Sequence, residues 1–236
     1  MKYKIADVVF DLKPIYKYVV KICQHYEYYG EEEPAYTLEV TKEMIERERE
    51  GLSDFPDCYL EGLAVFRKLC EYVLEKKDGL IFHSSAVAVD GKAYLFTAPS
   101  GTGKSTHARL YRELLGDRVM MVNDDKPIIR YDNGDFYVYG TPWNGKHALD
   151  TNTRVKIEAI CEIRRDKDNS IIKVTPKDMI PVVFNQTLRP QGIEEMDKLI
   201  ALLDKMLKTV KLYRLNCNMD ISSAKLSYSV MSGEKI

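Results

Sequence analysis

The feature that most constrains this chain is a glycine-rich segment between an apolar run and an amphipathic one. The segment reads Ala98-Pro99-Ser100-Gly101-Thr102-Gly103-Lys104-Ser105-Thr106. The run KAYLFTA leads into it, and a helical pattern follows it from Gly103 to Leu115, with Gly116 just beyond. A strand that turns through glycines into a helix predicts an α/β unit, because the loop must join the end of a sheet strand to the start of a helix.

The same segment predicts a phosphate-binding loop. Gly101 and Gly103 allow a tight turn in which successive backbone N–H groups point into one concavity, and the N-terminal end of the helix adds positive potential. Lys104 is placed to reach the β- and γ-phosphates of a nucleotide, and the Ser105 hydroxyl is placed to coordinate Mg²⁺. The usual pattern begins with glycine where this chain has Ala98, but the Gly-Lys-Ser core is complete.

Two adjacent carboxylates, Asp124 and Asp125, follow the short apolar run Val119–Val122 and Asn123. In a fold of this kind, an acid at the end of that strand reaches the metal beside the loop serine, and a second acid can accept a proton. Adjacent side chains of a strand point to opposite faces, so both acids serve one site only if the strand ends or bends there. Pro127 favours such a bend. A solvated Asx turn is the alternative interpretation.

One histidine, His83, stands just upstream of the loop, in the apolar run LIFHSSAVAV. That run is predicted to be a strand, joined to KAYLFTA by a hairpin at Asp90-Gly91. A lone histidine in a half-buried strand is more often a packing residue than a catalytic one, so its position alone does not predict a function. His25, His107 and His147 are predicted to be surface or packing residues.

The rest of the sequence predicts further strands and helices around this unit. Strands are predicted at Tyr3–Asp11, Tyr36–Val40, Ile128–Tyr131, Phe136–Tyr139, Val155–Ile163, Ile171–Val174 and Leu212–Leu215, and helices at Tyr59–Lys77, stopped by Gly79, and at Ile193–Leu207. Two hairpins are predicted among these strands: Ile128–Tyr131 with Phe136–Tyr139, and Val155–Ile163 with Ile171–Val174. Many hairpins around one strand–loop–helix unit predict an α/β fold with a mixed sheet. We therefore divide the chain into a small N-terminal α+β unit, residues 1–79, and a mixed-sheet core, residues 80–236.

Composition narrows the class of protein. The 35 Lys and Arg residues balance 36 Asp and Glu residues, for a formal net charge of −1, which argues against a nucleic-acid binder. No apolar run approaches the roughly 18 residues of a membrane span, and the N-terminus lacks the apolar core of a signal peptide. The five cysteines are scattered, with no C-x-x-C pair, which favours reduced thiols over disulfides or a zinc site. We expect a cytoplasmic protein without nucleic-acid or membrane partners.

Together, His83, the loop APSGTGKST and the pair Asp124-Asp125 resemble the phosphate-loop kinases of the HPr kinase/phosphorylase and phosphoenolpyruvate carboxykinase superfamily. In those families a histidine precedes the loop across one hairpin, and an Asp-Asp pair follows it. The segment Tyr139–Lys146 is similar to one in short HPr-kinase-related proteins that are associated with peptide-modification systems. The resemblance implies a P-loop kinase core with a mixed sheet, and ATP with Mg²⁺ as the phosphoryl donor.

The resemblance also implies roles for individual residues. His83 would lie near the metal or the transferred phosphate. Asp124 would be the general base and Asp125 the metal ligand, or these two aspartates would have the opposite roles. Lys146, with its neighbours in the Pro/Gly segment, would close the site and neutralise the transferred charge. The alternative for that segment is an ordinary turn with a buried tryptophan, Trp143.

The sequence also departs from HPr kinases in two respects. Their Gly-Arg-Asn signature has no match in PVVFNQTLRPQGI, and their N-terminal domain is longer than the unit available here. The resemblance therefore does not extend to HPr itself as the substrate.

Three functions remain open at this point. The first is an ATP- and Mg²⁺-dependent kinase that phosphorylates a hydroxyl, that of Ser or Thr in a peptide or small protein. The second is a kinase that acts on the hydroxyl of a small metabolite. The third is an ATP-binding regulatory module without transfer activity. In each of them the N-terminal unit would serve as a substrate clamp or as the contact of a homo-oligomer.

Overall fold

The computed structural model describes residues 1–50, 52 and 54–236 and contains two β-sheets within those ranges. The smaller sheet consists of β1 (Lys2–Ile5), β2 (Val8–Lys13) and β3 (Tyr36–Glu39), with β1 antiparallel and β3 parallel to β2. The prediction of one strand at Tyr3–Asp11 is wrong. Ala6 and Asp7 both have a positive φ, 52° and 57°, and this two-residue turn splits the segment into a hairpin.

Three helices accompany the smaller sheet: α1 (Lys17–Ile22), α2 (Lys42–Glu48) and α3 (Asp57–Lys76). The predicted helix at Tyr59–Lys77 is confirmed as α3. Gly79 does not stop it, however, because Asp78 makes the turn with a φ of 46°. The buried side chains of these elements form one apolar core that also includes Ile128 and Trp143 from the second half of the molecule. The N-terminal unit therefore packs directly on the rest of the chain.

The larger sheet carries the segment that is predicted to bind phosphate, which is called the phosphate loop from here on. Its strands are β4 (Gly79–Ile81), β5 (Ser85–Val89), β6 (Lys92–Thr97), β7 (Val119–Asn123), β8 (Ile128–Asp132), β9 (Asp135–Tyr139), β10 (Arg154–Arg165), β11 (Ser170–Lys173) and β12 (Lys211–Cys217). The order is β4-β8-β9-β10-β6-β5-β7, with β12 beside β10 and β11 beside β12. Strand β10 is parallel to β6 and β12, whereas the other pairs are antiparallel. The predicted mixed sheet is confirmed.

Helices cover both faces of this sheet. Helices α4 (Lys104–Leu115) and α7 (Ile221–Ser232) pack on one face, and α5 (Pro176–Asn185) and α6 (Ile193–Thr209) pack on the other. Alternate residues of β6 serve the two faces, as strand geometry requires: Tyr94 and Phe96 face α4, and Leu95 faces the opposite layer. The result is a three-layered α/β/α arrangement. Within the described ranges, none of the helices is both long and apolar enough to cross a membrane.

Two predictions about the larger sheet are wrong. The run LIFHSSAVAV forms two strands, because β4 pairs with β8 whereas β5 pairs with β6 and β7. His83 therefore lies in the break between two strands, not inside one. The second error is the hairpin of β10 and β11. Strand β12 lies between them, parallel to β10 and antiparallel to β11, and it comes from a distant part of the chain.

Candidate active site

The phosphate loop, Ala98–Gly103, leaves the end of the central strand β6 and enters α4. Gly101 has a φ of 77°, and Gly103, the N-cap of α4, has a φ of 129°. A Cβ built on either glycine meets no atom within 4 Å, so the backbone conformation, and not crowding, requires glycine at these positions. The first N–H groups of α4 have no partner within the helix and are available to an anion beside the loop.

Lys104 is buried against its own loop. Its ammonium donates hydrogen bonds to the carbonyl oxygen of Ala98 at 2.9 Å and to that of Pro99 at 3.5 Å. Burial lowers the pKa of Lys104, and the nearby charges of Asp125 and Asp124 oppose that shift. The ammonium is thus held by neutral oxygens, which are weaker acceptors than the charged oxygens of a phosphate.

One cavity collects the residues that the sequence and the resemblance single out. This loop cavity, of about 400 Å³, is lined by His83, Ser100, Gly101, Gly103, Lys104, Ser105, Thr106, Asp124, Asp125, Gly145, Lys146 and His147. Ala98, Pro99 and Thr102 complete the loop without lining the cavity. Segments that are far apart in the chain therefore meet here.

Asp124 is almost fully buried, with 6% of its surface exposed. Its Oδ1 accepts a hydrogen bond from the hydroxyl of Ser85 at 2.6 Å, and its backbone N–H donates to the carbonyl of Leu149 at 3.1 Å. Ser85 was not predicted to be a site residue. The available signal was its position two residues after His83 in the same run.

Asp125 and His83 form a pair at the edge of the cavity. The Nε2 atom of His83 lies 3.2 Å from Asp125 Oδ1, and the ammonium of Lys126 lies 3.3 Å from Oδ2. Burial by itself would raise the pKa of Asp125, but the His83 hydrogen bond and the Lys126 charge outweigh it, so the pKa is lower than usual. The Asp125 carboxylate is therefore ionised at neutral pH.

The main chain of His83 fixes the position of its ring. The His83 N–H donates to the carbonyl of Gln186 at 2.7 Å, and its carbonyl accepts a hydrogen bond from the Thr97 hydroxyl at 3.2 Å. Thr97 is the last residue of β6, directly before the phosphate loop. The break between β4 and β5 thus places His83 beside the loop.

Asn123, which was not predicted to matter, bends the chain between the two carboxylates. Its side-chain oxygen accepts hydrogen bonds from the backbone N–H groups of Asp125 and Lys126, at 2.8 and 2.7 Å. Its amide donates to the carbonyl and the hydroxyl of Thr141, at 2.8 and 3.1 Å. The predicted bend and the alternative of an Asx turn are therefore one feature, and Asn123 and Asp124 at its start are buried, not solvated.

The segment Gly145–His147 forms a turn of 3₁₀ helix over Asp125. Gly145 has a φ of 71°, and a Cβ there would lie 3.0 Å from the Cβ of Asp125, so its backbone approaches the carboxylate closely. Lys146 and His147 are exposed and line the loop cavity. The turn thus brings a cation to the rim of the site.

Trp143 has a different environment from Lys146. Its Nε1 donates a hydrogen bond to the carbonyl of Gly62 at 2.9 Å, and its ring centroid lies 4.6 Å from that of Phe66. Both partners belong to α3. Trp143 is therefore the buried tryptophan of the alternative interpretation, and it joins the N-terminal unit to the site segment.

The residues present fit a magnesium ion held jointly with phosphates. The Ser105 hydroxyl makes no side-chain hydrogen bond to another described residue, and it lines the loop cavity with both aspartates. No group of three or more His, Cys, Asp or Glu that could hold a metal occurs in the described part of the chain. A hydroxyl and carboxylate oxygens, completed by phosphate oxygens and water, form the donor set that Mg²⁺ prefers.

Arg165, at the end of β10, also contacts the loop. Its Nε donates to the carbonyl of Thr102 at 3.0 Å, and its Nη2 donates to that of Gly101. It borders another cavity beside the loop, of about 420 Å³, which Leu110 and Ile163 also line. No local sequence signal identifies Arg165, because its approach to the loop depends on the pairing of β10 with β6.

Comparison with known proteins places this site in a wider context. No protein-family model matches the chain, and no curated protein matches it. Among solved structures, the chain is similar to the HPr(Ser) kinase/phosphatase from Coxiella burnetii, with 12% sequence identity and a TM-score of 0.33, over 65% of this chain and 95% of that one. At that distance the likeness transfers neither an activity nor the role of any residue. The structure of this chain by itself shows a mixed α/β fold in which the glycine-rich loop, an aspartate pair and a histidine line one cavity.

Proposed function

We propose that this protein is an ATP- and Mg²⁺-dependent kinase that transfers the γ-phosphoryl group to the hydroxyl of Ser or Thr in a peptide or small protein. One observation carries the proposal: a loop with the sequence pattern of a phosphate-binding loop and two adjacent carboxylates line a single cavity. Phosphoryl transfer requires this combination, since the donor must be positioned and the attacking hydroxyl must lose its proton.

The donor side consists of the loop and the first turn of α4. Backbone N–H groups hold the phosphates, and Lys104 exchanges its loop carbonyl acceptors for phosphate oxygens. Ser105 and Asp125 would hold the metal, and bound Mg²⁺ would neutralise charge on the β- and γ-phosphates. Lys146, exposed at the rim, offsets charge on the transferred group.

Asp124 acts as the general base in this proposal. The Ser85 hydroxyl occupies Oδ1, which orients the carboxylate and leaves Oδ2 to accept the proton of the attacking hydroxyl. Asp125 has the complementary environment. Its lowered pKa keeps it ionised, and an ionised carboxylate supplies the oxygen donors that Mg²⁺ prefers.

The test is transfer of label from γ-labelled ATP to the products of the neighbouring genes. We expect one labelled peptide or small protein. We expect Asp124→Asn to reduce transfer by about 10²- to 10⁴-fold, the usual contribution of a positioned base, while ATP still binds. Asp117→Asn, an exposed aspartate beyond the end of α4, is the matched control and should transfer normally.

Other outcomes would redirect the proposal. Retained transfer in Asp124→Asn would exclude Asp124 as the base, and the same loss confined to Asp125→Asn would exchange the two roles. Label on a small-molecule hydroxyl would identify a metabolite kinase. ATP binding or consumption without any phosphorylated product would identify a regulatory module.

A further inference from the structure

A second cavity, of about 320 Å³, also reaches Asp125. We call it the N-terminal cavity, because α1 and α3 supply much of its wall. It is lined by Tyr18, Ile22, Tyr59, Gly62, Leu63, Asp125, Lys126 and residues 142–146. It shares Asp125, Gly145 and Lys146 with the loop cavity, and its remaining lining residues are different. A group bound in it would therefore approach the site without contacting the phosphate loop.

The wall that α1 and α3 supply is apolar and aromatic. The ring centroids of Tyr18 and Tyr59 lie 6.3 Å apart, and Ile22 and Leu63 add aliphatic surface. The hydroxyls of the two tyrosines make no hydrogen bond to a described residue. This wall combines apolar surface with free polar tips, the composition of pockets that bind organic groups.

The wall is held in place by buried contacts. The carboxylate of Glu61, which is fully buried in α3, accepts hydrogen bonds from the backbone N–H groups of Ile15 and Tyr16 at the start of α1. Tyr18 of α1 packs beside Gly62 of α3, where a Cβ would lie 3.4 Å from the Tyr18 ring, an ordinary van der Waals contact. The N-terminal cavity is thus largely preformed, which reduces the ordering cost of binding.

The charges at the site end of this cavity restrict what it can bind. Lys126 and Lys146 line it with Asp125, and the Lys126 ammonium already lies 3.3 Å from that carboxylate. A basic residue next to the acceptor hydroxyl would meet two ammonium groups and one carboxylate, a net positive charge. A neutral apolar residue would meet the tyrosine wall instead.

From this geometry we propose that the N-terminal cavity is the acceptor pocket, and that the acceptor is a Ser or Thr hydroxyl flanked by an aromatic or aliphatic residue. The inference rests on the proposed kinase function and specifies its substrate class. The flanking residue packs on the Tyr18–Tyr59 wall, and the hydroxyl passes Asp125 into the loop cavity. There the hydroxyl oxygen bonds to the γ-phosphorus, the bond from that phosphorus to the bridging oxygen breaks, the proton moves to Asp124, and ADP leaves.

Three synthetic peptides test the proposal: acetyl-Gly-Phe-Ser-Phe-Gly-amide, acetyl-Gly-Gly-Ser-Gly-Gly-amide and acetyl-Gly-Lys-Ser-Lys-Gly-amide. Their kcat/KM is measured with γ-labelled ATP, and their binding by tryptophan fluorescence. Trp143 is the single tryptophan of the chain and lines this cavity, so the signal comes from the pocket itself. We expect a kcat/KM for the Phe peptide at least tenfold above that of the Gly peptide, and lowest for the Lys peptide.

Variants of the Tyr18–Tyr59 wall distinguish the loss of a binding pocket from a general loss of protein stability. Tyr59→Ala should remove the preference for Phe while calorimetric ATP affinity stays unchanged, and Tyr59→Leu, which keeps apolar volume, should retain part of it. Tyr29→Ala is the control, because Tyr29 is 88% exposed and lies outside the cavity lining. Circular dichroism verifies that each variant is folded.

The failures of the two proposals are distinguishable. Equal kcat/KM for the three peptides, or an unchanged preference in Tyr59→Ala, would overturn the acceptor pocket alone. Label on free serine but on none of the peptides would overturn both the acceptor pocket and the peptide acceptor of the proposed function, and would identify a metabolite kinase. ATP binding that depends on Lys104, without labelling of any peptide, would also overturn this acceptor class. ATP binding that is absent or insensitive to Lys104→Ala would overturn the kinase function itself.

Discussion

The phosphate loop and the N-terminal cavity flank the same carboxylate, Asp125, but they are built in opposite ways. The loop side comes from one continuous segment, residues 98–106, with Lys104 held by backbone carbonyls of that segment. The N-terminal cavity combines α1, α3 and residues 142–146, which share no local sequence pattern. In the proposed function, the donor side is therefore encoded by neighbouring residues, whereas the acceptor side depends on the packing of distant ones.

Substitution of the loop lysine should have the largest effect and should act on one side only. We expect Lys104→Ala to reduce phosphoryl transfer about 10³-fold and to weaken ATP binding, because the ammonium supplies charge that loop N–H groups do not replace. The measurements are transfer from γ-labelled ATP and calorimetric ATP affinity. The Trp143 fluorescence response to the Phe peptide should remain.

The control for this prediction is Lys92→Ala, an exposed lysine at the other end of β6. If Lys104→Ala transferred phosphate within about threefold of the unmodified chain, roughly 0.7 kcal/mol, the loop would not hold the donor phosphates. If it abolished the fluorescence response to the peptide, the two sides would not be independent.

Asn123 supports both sides, and its loss should destabilise the whole protein. Asn123→Ala leaves the half-buried N–H groups of Asp125 and Lys126 without their acceptor and removes the two hydrogen bonds that the Asn123 amide donates to Thr141. We expect the free energy of unfolding in urea to fall by about 2 to 3 kcal/mol, the usual cost of buried groups left unpaired.

Asn152→Ala is the matched control for Asn123, since Asn152 is exposed and makes only long contacts of 3.4 and 3.5 Å. It should change the free energy of unfolding by less than about 0.5 kcal/mol. Equal effects of the two substitutions would show that the buried turn does not organise the site.

Substitution of Trp143 should destabilise the protein less than substitution of Asn123, and only on the N-terminal side. Trp143→Phe keeps an aromatic ring against Phe66 but removes the hydrogen bond to the Gly62 carbonyl. We expect a loss of about 1 kcal/mol in the free energy of unfolding, with unchanged ATP affinity. If the free energy of ATP binding also weakened by about 1 kcal/mol, the separation of the two sides would be contradicted.

The smallest effect concerns the charge of Asp125, where the two sides meet. The His83 hydrogen bond helps to hold the pKa of this carboxyl below its ordinary value, so His83→Ala should raise it. Carbon-13 NMR titration of the aspartate carboxyl signals measures the shift. His147→Ala is the control, because His147 lines the same cavity without pairing with Asp125.

The pKa of Asp125 also determines how His83→Ala changes the free energy of unfolding with pH, through proton linkage. Because the folded pKa of Asp125 is lowered, its contribution to stability is present above the unfolded pKa of about 3.9 and is lost as pH falls through the folded pKa. His83→Ala should therefore be less stable than the unmodified chain near neutral pH, and the two should converge in acid. A difference that grew in acid would contradict this pairing.

Whether an element of the fold could be predicted depended on how far apart in the sequence its interacting residues lie. The helix after the phosphate loop and the hairpin at Asn133-Gly134 were predicted correctly, because the glycines that end or turn them are adjacent in sequence. The break at His83 and the insertion of β12 beside β10 were missed, because they depend on strands that pair across long stretches of chain.

The site residues divide in the same way. The phosphate loop and the aspartate pair were recognisable from residue type and order, and the cavity brings them together with His83 and Lys146. Ser85, Asn123 and Arg165 were not predicted. Their importance lies in hydrogen bonds to groups that only folding brings within reach.

The order of residues in one short segment is enough to predict a phosphate-binding loop, since glycine φ angles, a helix start and a lysine are properties of neighbouring residues. The tertiary structure alone decided that both carboxylates turn toward that loop, and that an aromatic wall from α1 and α3 stands beside Asp125. The physical reason is that local backbone preferences act within a few residues, whereas a cavity exists only when apolar faces from distant segments are buried together.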